Sequence, residues 1–257
     1  LTAQKPDSAH PVDQSYRAAP VHVTVSIVSH GSGRLLPALL SDLRRTLPPE
    51  AEVLLTFNVP EDESFLGAFS DLPLRILRND ASKGFGANHN QAFAASRGSY
   101  FVIVNPDVRL AQSPFYALTQ ALGDASVGAC APSVVSPQGT VEDSVRHYPT
   151  VMSLAKRVLL GRREADYRGE KIVPVDWAAG MFVMFRREAF DAVCGFDERY
   201  FMYFEDADIC RRLWRRGLKV LYVPFVTVVH DARRHSHRDP QHLRWHLRSA
   251  LRFLAGV

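Results

Sequence analysis

"GFGANHNQAFAASRGSYFVIVNPDV", residues 84–108, changes its period partway through. Residues 84–98 place small and apolar side chains at helical spacing and close on Gly98, a candidate C-cap. Residues 99–108 are β-branched and aromatic and run into Asn105-Pro106-Asp107, so they read as a buried strand stopped by proline. Working outward, "VHVTVSIVSH" (21–30), "AEVLLTF" (51–57) and "LPLRILRN" (72–79) read as further strands. "GRLLPALLSDLRRTL" between the first two reads as a helix with Pro37 near its start. Strands alternating with helices predict an α/β fold with a mixed, largely parallel sheet flanked by helices. Ligands of such sheets bind at the carboxyl ends of the strands. That places His30, Phe57 with Asn58, Asn79 and Asp107 at the ligand edge.

The second half reads differently. Residues 136–173 are polar, charged and irregular, the signature of a functional or mobile loop. "VDWAAGMFVMFRREAF" (175–190) then reads as a strand leading into a helix, and "LKVLYVPFVTVVH" (218–230) as one or two strands ending at His230. Between them, in "YFMYFEDADICRRLWRRGLKV" (200–220), Glu205, Asp206 and Asp208 open a basic helix behind a run of aromatic residues. Acids at a helix N-terminus complement the macrodipole, so the bland reading is capping. The sharper reading is that one of them does chemistry.

With 257 residues and 46% hydrophobic content, the chain can bury a sizeable core. It holds no apolar run of bilayer-spanning length. Residues 1–20 are polar and Pro-rich without an apolar h-region, and read as a disordered lead-in, not a signal peptide. Cys130, Cys194 and Cys210 are odd in number and far apart, which suits free thiols in a reducing compartment. From Arg233 onward Asp239 is the one acid against six arginines, so the end of the chain is basic. Such an end suits a solvated face or a phosphate-bearing partner. It carries no nucleic-acid-binding module, and no nucleic-acid partner is expected.

Taken singly, the local signals are weak. "NDASKGFGANHN" lacks the Gly-Lys-Ser/Thr of a phosphate loop and follows the third strand, where a dinucleotide fingerprint would follow the first. Gly84 and Gly86 still allow a close backbone approach at a helix N-terminus, and Asn79 and Asn88 offer amide hydrogen bonds. Asp107 suits either a turn or the one protein carboxylate that Mg²⁺ or Mn²⁺ needs when a diphosphate supplies other oxygens. His230 fits a core histidine as well as a ligand. His242 and His246 are spaced i, i+4 without a metalloprotease glutamate between them, so zinc is disfavoured.

In combination the signals become specific. "NDASKGFGANHNQAFAASRGSYFVIVNPDV" and "DWAAGMFVMFRREAFDAVCGFDERYFMYFEDADICRRLWRRGLKVLYVPFVTVVH", in that order, resemble family 2 glycosyltransferases of the Rossmann-like GT-A fold, in particular the bacterial rhamnosyltransferase-like branch. The resemblance covers residues 21–235. It implies one GT-A domain, with a nucleotide-sugar-binding half (21–110) and an acceptor-binding half (111–235), followed by a basic amphipathic helix (236–257). It further implies a nucleotide-diphosphate sugar donor, a divalent metal, Mg²⁺ or Mn²⁺, and inversion at the anomeric centre. By resemblance, Asp206 is the catalytic base. Asp107 closes the metal motif in an Asn-Pro-Asp form, and His230 is the late histidine that reaches the metal or diphosphate. His30, Asn58, Asn79, Lys83, Gly84, Asn88 and Asn105 fall with Asp107 on the donor side; Trp177, Gly180 and Glu205 fall on the acceptor side.

The resemblance implies a glycan or lipid-linked acceptor in bacterial surface polysaccharide or lipopolysaccharide assembly, with dTDP-rhamnose as the first expected donor and a UDP-sugar as the second. The expected location is the cytoplasm, at the inner face of the cytoplasmic membrane if the C-terminal helix touches it. Leu243, Leu247, Leu251 and Leu254 share one face of that helix and Arg244, Arg248 and Arg252 another, which suits docking on the domain or resting on an anionic membrane. Two departures stand out. Phe57 stands where the family's second strand ends in an Asp that reads the nucleobase, and Pro60 falls at the Ser that follows the family's Asp-Asn pair. Cys194 replaces the first glycine of a Gly-Gly-Phe-Asp turn. The alternatives are a non-catalytic sugar-nucleotide-binding protein, because the donor segment is altered, and a glycosidase pairing Asp107 with Asp206.

Overall fold

The computed structural model describes residues 22–150, 167, 169–231 and 240–256. The expected lead-in, residues 151–166 and 168 of the irregular segment, and residues 232–239 lie outside the described residues.

β1 (Val23–Ser29) is buried along nearly its whole length because helices cover both faces of its sheet. α1 (Leu36–Thr46) follows, with Pro37 at its N-terminus, where the missing N–H costs nothing. Then come β2 (Ala51–Phe57), β3 (Leu74–Arg78), α2 (Phe85–Ala95), β4 (Tyr100–Val104), β5 (Val108–Arg109), α3 (Phe115–Ala121) and β6 (Val127–Val135). The later half adds β7 (Val145–Arg146), β8 (Val173–Pro174), β9 (Trp177–Ala178), β10 (Phe182–Arg186), α4 (Arg187–Ala192), α5 (Glu205–Arg215), β11 (Lys219–His230) and α6 (Pro240–Ala255).

The main sheet runs β3-β2-β1-β4-β10-β6-β11-β5, with β8 added against β11, and β7 pairs with β9 outside it. β1 to β4 are mutually parallel in register, β10 is antiparallel to both neighbours, and β11 is parallel to β6. The sheet is thus mixed, as expected. One apolar cluster joins α1 and α3 to one face; the other joins α2, α4, α5 and α6 to the opposite face. No helix among the described residues is long and apolar enough to cross a membrane.

Three local details differ from the sequence reading. α2 ends at Ala95, and Ser96 caps it. Gly98 instead donates its N–H to Thr24 Oγ1 at 2.9 Å, where a Cβ would strike the Thr24 backbone N at 2.6 Å. The expected strand over 99–108 is two strands, because Pro106 breaks the ladder between β4 and β5. Residues 219–230 form one strand whose register against β6 shifts between Val223 and Thr227, around Pro224. That irregularity lets the end of β11 pair with β5, with His230 opposite Val108.

α6 docks, but not through its leucines. Trp245 packs on Phe201 at 4.7 Å, His246 on Phe204 at 5.3 Å and Phe253 on Phe204 at 5.6 Å. Tyr203 Oη meets His242 Nδ1 at 2.8 Å, Ser249 Oγ donates to the Met202 carbonyl at 2.9 Å, and Arg211 lies over the Phe253 ring at 4.1 Å. The seat is aromatic and polar, so a histidine- and aromatic-bearing face complements it better than leucines do.

Gly84 allows a close backbone approach near the edge of the sheet. The Phe85 N–H donates to the Phe201 carbonyl at 3.0 Å, and a Cβ on Gly84 would lie 2.6 Å from that oxygen and 2.9 Å from the Phe201 Cα. Gly84→Ala is therefore expected to destabilise by about 1–3 kcal/mol, the range for overpacking. In a domain of this size that lowers Tm by about 2–4 °C per kcal/mol. An unchanged melting curve would show that the 82–84 loop is free to move.

Candidate active site

Asp107 reaches the ligand edge because Pro106 ends β4, and β5 then pairs with β11. The Asp231 N–H donates to the Asp107 carbonyl at 3.0 Å. Asp42 steadies this corner from α1, accepting from Arg109 Nε at 2.6 Å and from the Leu110 N–H at 3.0 Å. His230 lies between two carboxylates, with Nε2 at 3.3 Å from Asp107 Oδ2 and Nδ1 at 2.8 Å from Glu142 Oε2. Burial alone would lower the His230 pKa, but hydrogen bonding and charge from Asp107 and Glu142 outweigh it and carry it up to about 9. Asp107 Oδ1 is buried without a hydrogen-bond partner. An orphaned carboxylate oxygen calls for a donor or a cation, so a divalent ion fits this position. Among the described residues no set of three or more His, Cys, Asp or Glu side chains could hold a metal alone. A bound ion would take its other ligands from a diphosphate and water.

The amides of Asn58, Asn79 and Asn88 are brought together, chiefly onto one another. Asn79 Nδ2 donates to Asn58 Oδ1 at 2.9 Å and to Asn88 Oδ1 at 2.6 Å. Asn58 accepts from the Lys83 N–H at 2.8 Å and donates to the Lys83 carbonyl at 2.9 Å, while Asn88 donates to the Gly84 carbonyl at 2.9 Å. His30 Nδ1 adjoins Asn58 Nδ2 at 3.1 Å and is exposed. Asn58 and Asn88 are buried, so their direct work is to shape the 79–84 loop. The Lys83 ammonium bonds Gln91 Oε1. Asn105 hydrogen-bonds through its N–H to the Met181 carbonyl at 2.9 Å, which ties the end of β4 to the segment after Gly180.

The acids lie where the chain turns sharply into α5. Tyr203 and Phe204 both have left-handed backbone, with φ +71° and +67°. Asp206 accepts from the Gly180 N–H at 3.1 Å and the Ala207 N–H at 2.8 Å, one to each oxygen. Each oxygen keeps a lone pair for a further donor. Burial raises the Asp206 pKa, against the lowering effect of the Gly180 N–H and the Arg146 charge. Arg146 lies 4.9 Å over the buried ring of Trp177, whose Nε1 donates to the His147 carbonyl at 3.1 Å. The Phe85 ring packs where a Cβ on Gly180 would stand, so α2 and Asp206 come together at Gly180. Glu205 points inward. It is buried, its Oε2 has no partner, and burial first and the Asp206 charge second push its pKa well above the usual carboxylate range. Asp208 serves the helix, bonding Arg211 at 3.0 Å and Arg212 at 2.7 Å.

Sequence reasoning missed three residues. Glu142 clamps His230 from within the irregular segment, where no period marks it. Arg146 lies in the same segment, beside Asp143 at 2.8 Å. Glu61 accepts from the Gly31 N–H at 2.8 Å, the Gly33 N–H at 2.6 Å and Ser29 Oγ at 2.9 Å, and so closes the loop after β1. Phe57, in place of the family's base-reading Asp, is buried in the core and offers no stacking surface. Cys194 has φ +57°, which explains why the family pattern carries glycine there.

A buried carboxyl with a raised pKa binds its proton more tightly in the folded state. Its ionisation therefore costs stability from the unfolded value, near 4.5, upward through the folded value, and costs nothing below both. Glu205→Gln removes that cost. The Tm of Glu205→Gln relative to wild type should become more favourable as pH rises from 4 to 8. A pH-independent difference would mean that Glu205 is solvated or paired.

The description "Glycosyltransferase like family 2" matches residues 20–247. An N-acetylglucosaminyl-diphospho-decaprenol L-rhamnosyltransferase of Mycobacterium tuberculosis is 32% identical over 255 residues, covering 90% of this chain and 83% of the relative. Rhamnosyltransferase WbbL of Escherichia coli K12 is 31% identical over 186 residues, 67% of this chain and 70% of that one. Among solved structures, GalNAc-T7 with UDP, GalNAc and Mn²⁺ superposes with a TM-score of 0.68 at 16% identity, over 86% of this chain and 45% of that chain. The mannosyltransferase PcManGT of Pyrobaculum calidifontis, in complex with GDP-Man and Mn²⁺, superposes with a TM-score of 0.63 at 19% identity, over 93% of this chain and 68% of that chain. These two likenesses carry the GT-A fold, and the family match together with the rhamnosyltransferase relatives carries the activity class: the chain belongs to glycosyltransferase family 2 and is a glycosyltransferase.

Proposed function

We propose that this enzyme is a metal-dependent inverting glycosyltransferase. In this reading it moves rhamnose from dTDP-rhamnose to a lipid-linked glycan acceptor, in surface polysaccharide assembly, at the cytoplasmic face of the membrane. The observation that carries the reading is the Asp206 carboxylate, held at the entrance of α5 by two backbone N–H groups with a lone pair left on each oxygen. The choice of sugar and acceptor rests on the names of the rhamnosyltransferase relatives, one of them for a diphospho-decaprenol acceptor. The choice of a divalent metal rests on the orphaned Asp107 oxygen and on the Mn²⁺ in the two structural neighbours.

In a single displacement the acceptor hydroxyl attacks the anomeric carbon, its proton passes to Asp206, and the bond from that carbon to the diphosphate oxygen breaks. Burial favours this transfer, because it raises the proton affinity of Asp206. Gly180 and Ala207 fix the direction of the carboxylate, and Trp177 walls the acceptor side. Asp107 would hold the metal, which would neutralise charge on the departing diphosphate; His230 would join it only by giving up a ring proton and its contact with Asp107. The linked amides of Asn58, Asn79 and Asn88 keep the 79–84 loop in shape against the donor, with His30, Lys83 and Gly84 at its surface.

Three measurements test the reading. In a thermal-shift panel of nucleotide sugars with Mn²⁺, dTDP-rhamnose is expected to give the largest stabilisation, about 2.7 kcal/mol at a hundredfold excess over Kd. A UDP-sugar winning the panel would replace the donor. Asp206→Asn keeps the shape and should lower turnover at saturating substrates by about 10²- to 10⁴-fold while donor binding survives. Turnover within a few-fold of wild type would return Asp206 to helix capping, since Asn caps as well as Asp. Asp107→Ala should remove the Mn²⁺-dependent part of donor binding without unfolding the protein, and unchanged donor affinity in Mn²⁺ would remove the metal from Asp107.

A further inference from the structure

The docked face of α6 leaves a second face uncovered. Leu243, Leu247, Leu251 and Leu254 are 61%, 55%, 68% and 37% exposed. At 3.6 residues per turn they fall within about 80° of arc, a continuous apolar stripe along the helix. Arg244 and Arg248 border the stripe and are exposed as well, with Arg252 beyond them. Residues 240–257 hold no Asp or Glu. The helix is fastened by its opposite face, through Trp245, His246, Ser249 and Phe253, so the leucines are not a core face left open by a loose helix. Four uncovered leucines on one helix exceed the scattered apolar residues of an ordinary surface.

Charge separates the occupants that this stripe could take. A second copy paired antiparallel through the stripe would set arginines beside arginines, and in either orientation it would leave them without acids to meet. Residues 1–21 offer one leucine, Leu1, and no amphipathic period to cover the stripe. A bilayer with anionic headgroups satisfies both halves, since the leucines enter the acyl boundary and the arginines meet lipid phosphates. We infer that the leucine–arginine face of α6 is a seat for an anionic membrane surface, and that it brings the entrance of α5 close to acceptors held in that membrane. The inference deepens the lipid-linked acceptor reading and rests on it for the second clause. The connection is short: the seated helix touches Met202, Tyr203 and Phe204, the residues that lead directly into Glu205 and Asp206.

The test is cosedimentation of the full chain with phosphatidylglycerol-containing vesicles and with pure phosphatidylcholine vesicles, at low and high salt, with no donor or acceptor present. Binding is expected to the anionic vesicles at low salt and to weaken with salt. The double variant Leu247→Glu with Leu251→Glu should abolish it. Arg244→Glu with Arg248→Glu should reduce it by about tenfold or more. All four positions are exposed, and an unchanged Tm verifies that the variants fold. No cosedimentation of wild type at low salt, or equal binding by the leucine variant, overturns the inference. So does a wild-type dimer in sedimentation velocity that the leucine variant converts to monomer, since the occupant is then a second copy. Because vesicle binding is read without sugar transfer, a protein that binds vesicles but transfers nothing strikes the transferase reading alone, and one that transfers but does not bind strikes the membrane seat alone.

Discussion

Two consecutive residues in left-handed backbone, Tyr203 and Phe204, set the direction of everything that follows them. Aromatic side chains disfavour that region, and each such residue costs on the order of 1–3 kcal/mol unless its surroundings hold it there. The surroundings here are identifiable. Phe204 is buried against Phe253 and His246, Tyr203 bonds His242, and the Met202 carbonyl accepts from Ser249. On the other side the Phe201 carbonyl accepts from the first residue of α2. One turn is thus gripped by the C-terminal helix, by the loop shaped by the asparagines, and by the start of α5. The strain is stored where the chain presents its acids, and packing from three directions offsets it.

The grip explains how two neighbouring acids come to have different surroundings. Successive residues of a helix point about 100° apart. The turn aims Glu205 into the protein, where one of its oxygens has no partner, and aims Asp206 toward Gly180. Burial raises both pKa values, but only Asp206 receives two backbone N–H bonds that support a carboxylate. The Asp206 charge adds to burial in raising the Glu205 pKa, because two adjacent negative charges repel.

What could be read from the sequence was what lies at an element boundary. Asp107 after Pro106, His230 at the end of an apolar run and Asp206 at the head of a basic helix are each marked by a change of period, and the structure places each at such an edge. The parallel β1 to β4 sheet was legible for the same reason, since both faces are covered and the strands are continuous apolar runs. Glu142 and Arg146 were not legible, because their segment has no period and the contacts that bring them to the site, with His230 and Trp177, lie more than 30 residues away. The face by which α6 docks was hidden by a different cause. Hydropathy favours the leucines, yet the seat is built of Phe201, Tyr203 and Phe204, and complementarity to those rings decided for Trp245, His246 and Phe253.

Asp208 completes the account of the three acids. Its carboxylate is buried and bonds both Arg211 and Arg212. Arg212 continues to the carbonyls of Val193 and Gly195, and Arg211 to the carbonyl of Phe253. One carboxylate therefore links α5 to the turn holding left-handed Cys194 and Gly195, and to the last turn of α6. A buried ion pair of this kind is weak evidence for stability, because desolvation offsets most of its attraction, but its geometry admits few alternatives. With Asp208 fixing the rotation of α5 and the left-handed pair fixing its entry, the direction of the Asp206 carboxylate has no remaining freedom except its own side-chain rotamer, and the Gly180 N–H holds that.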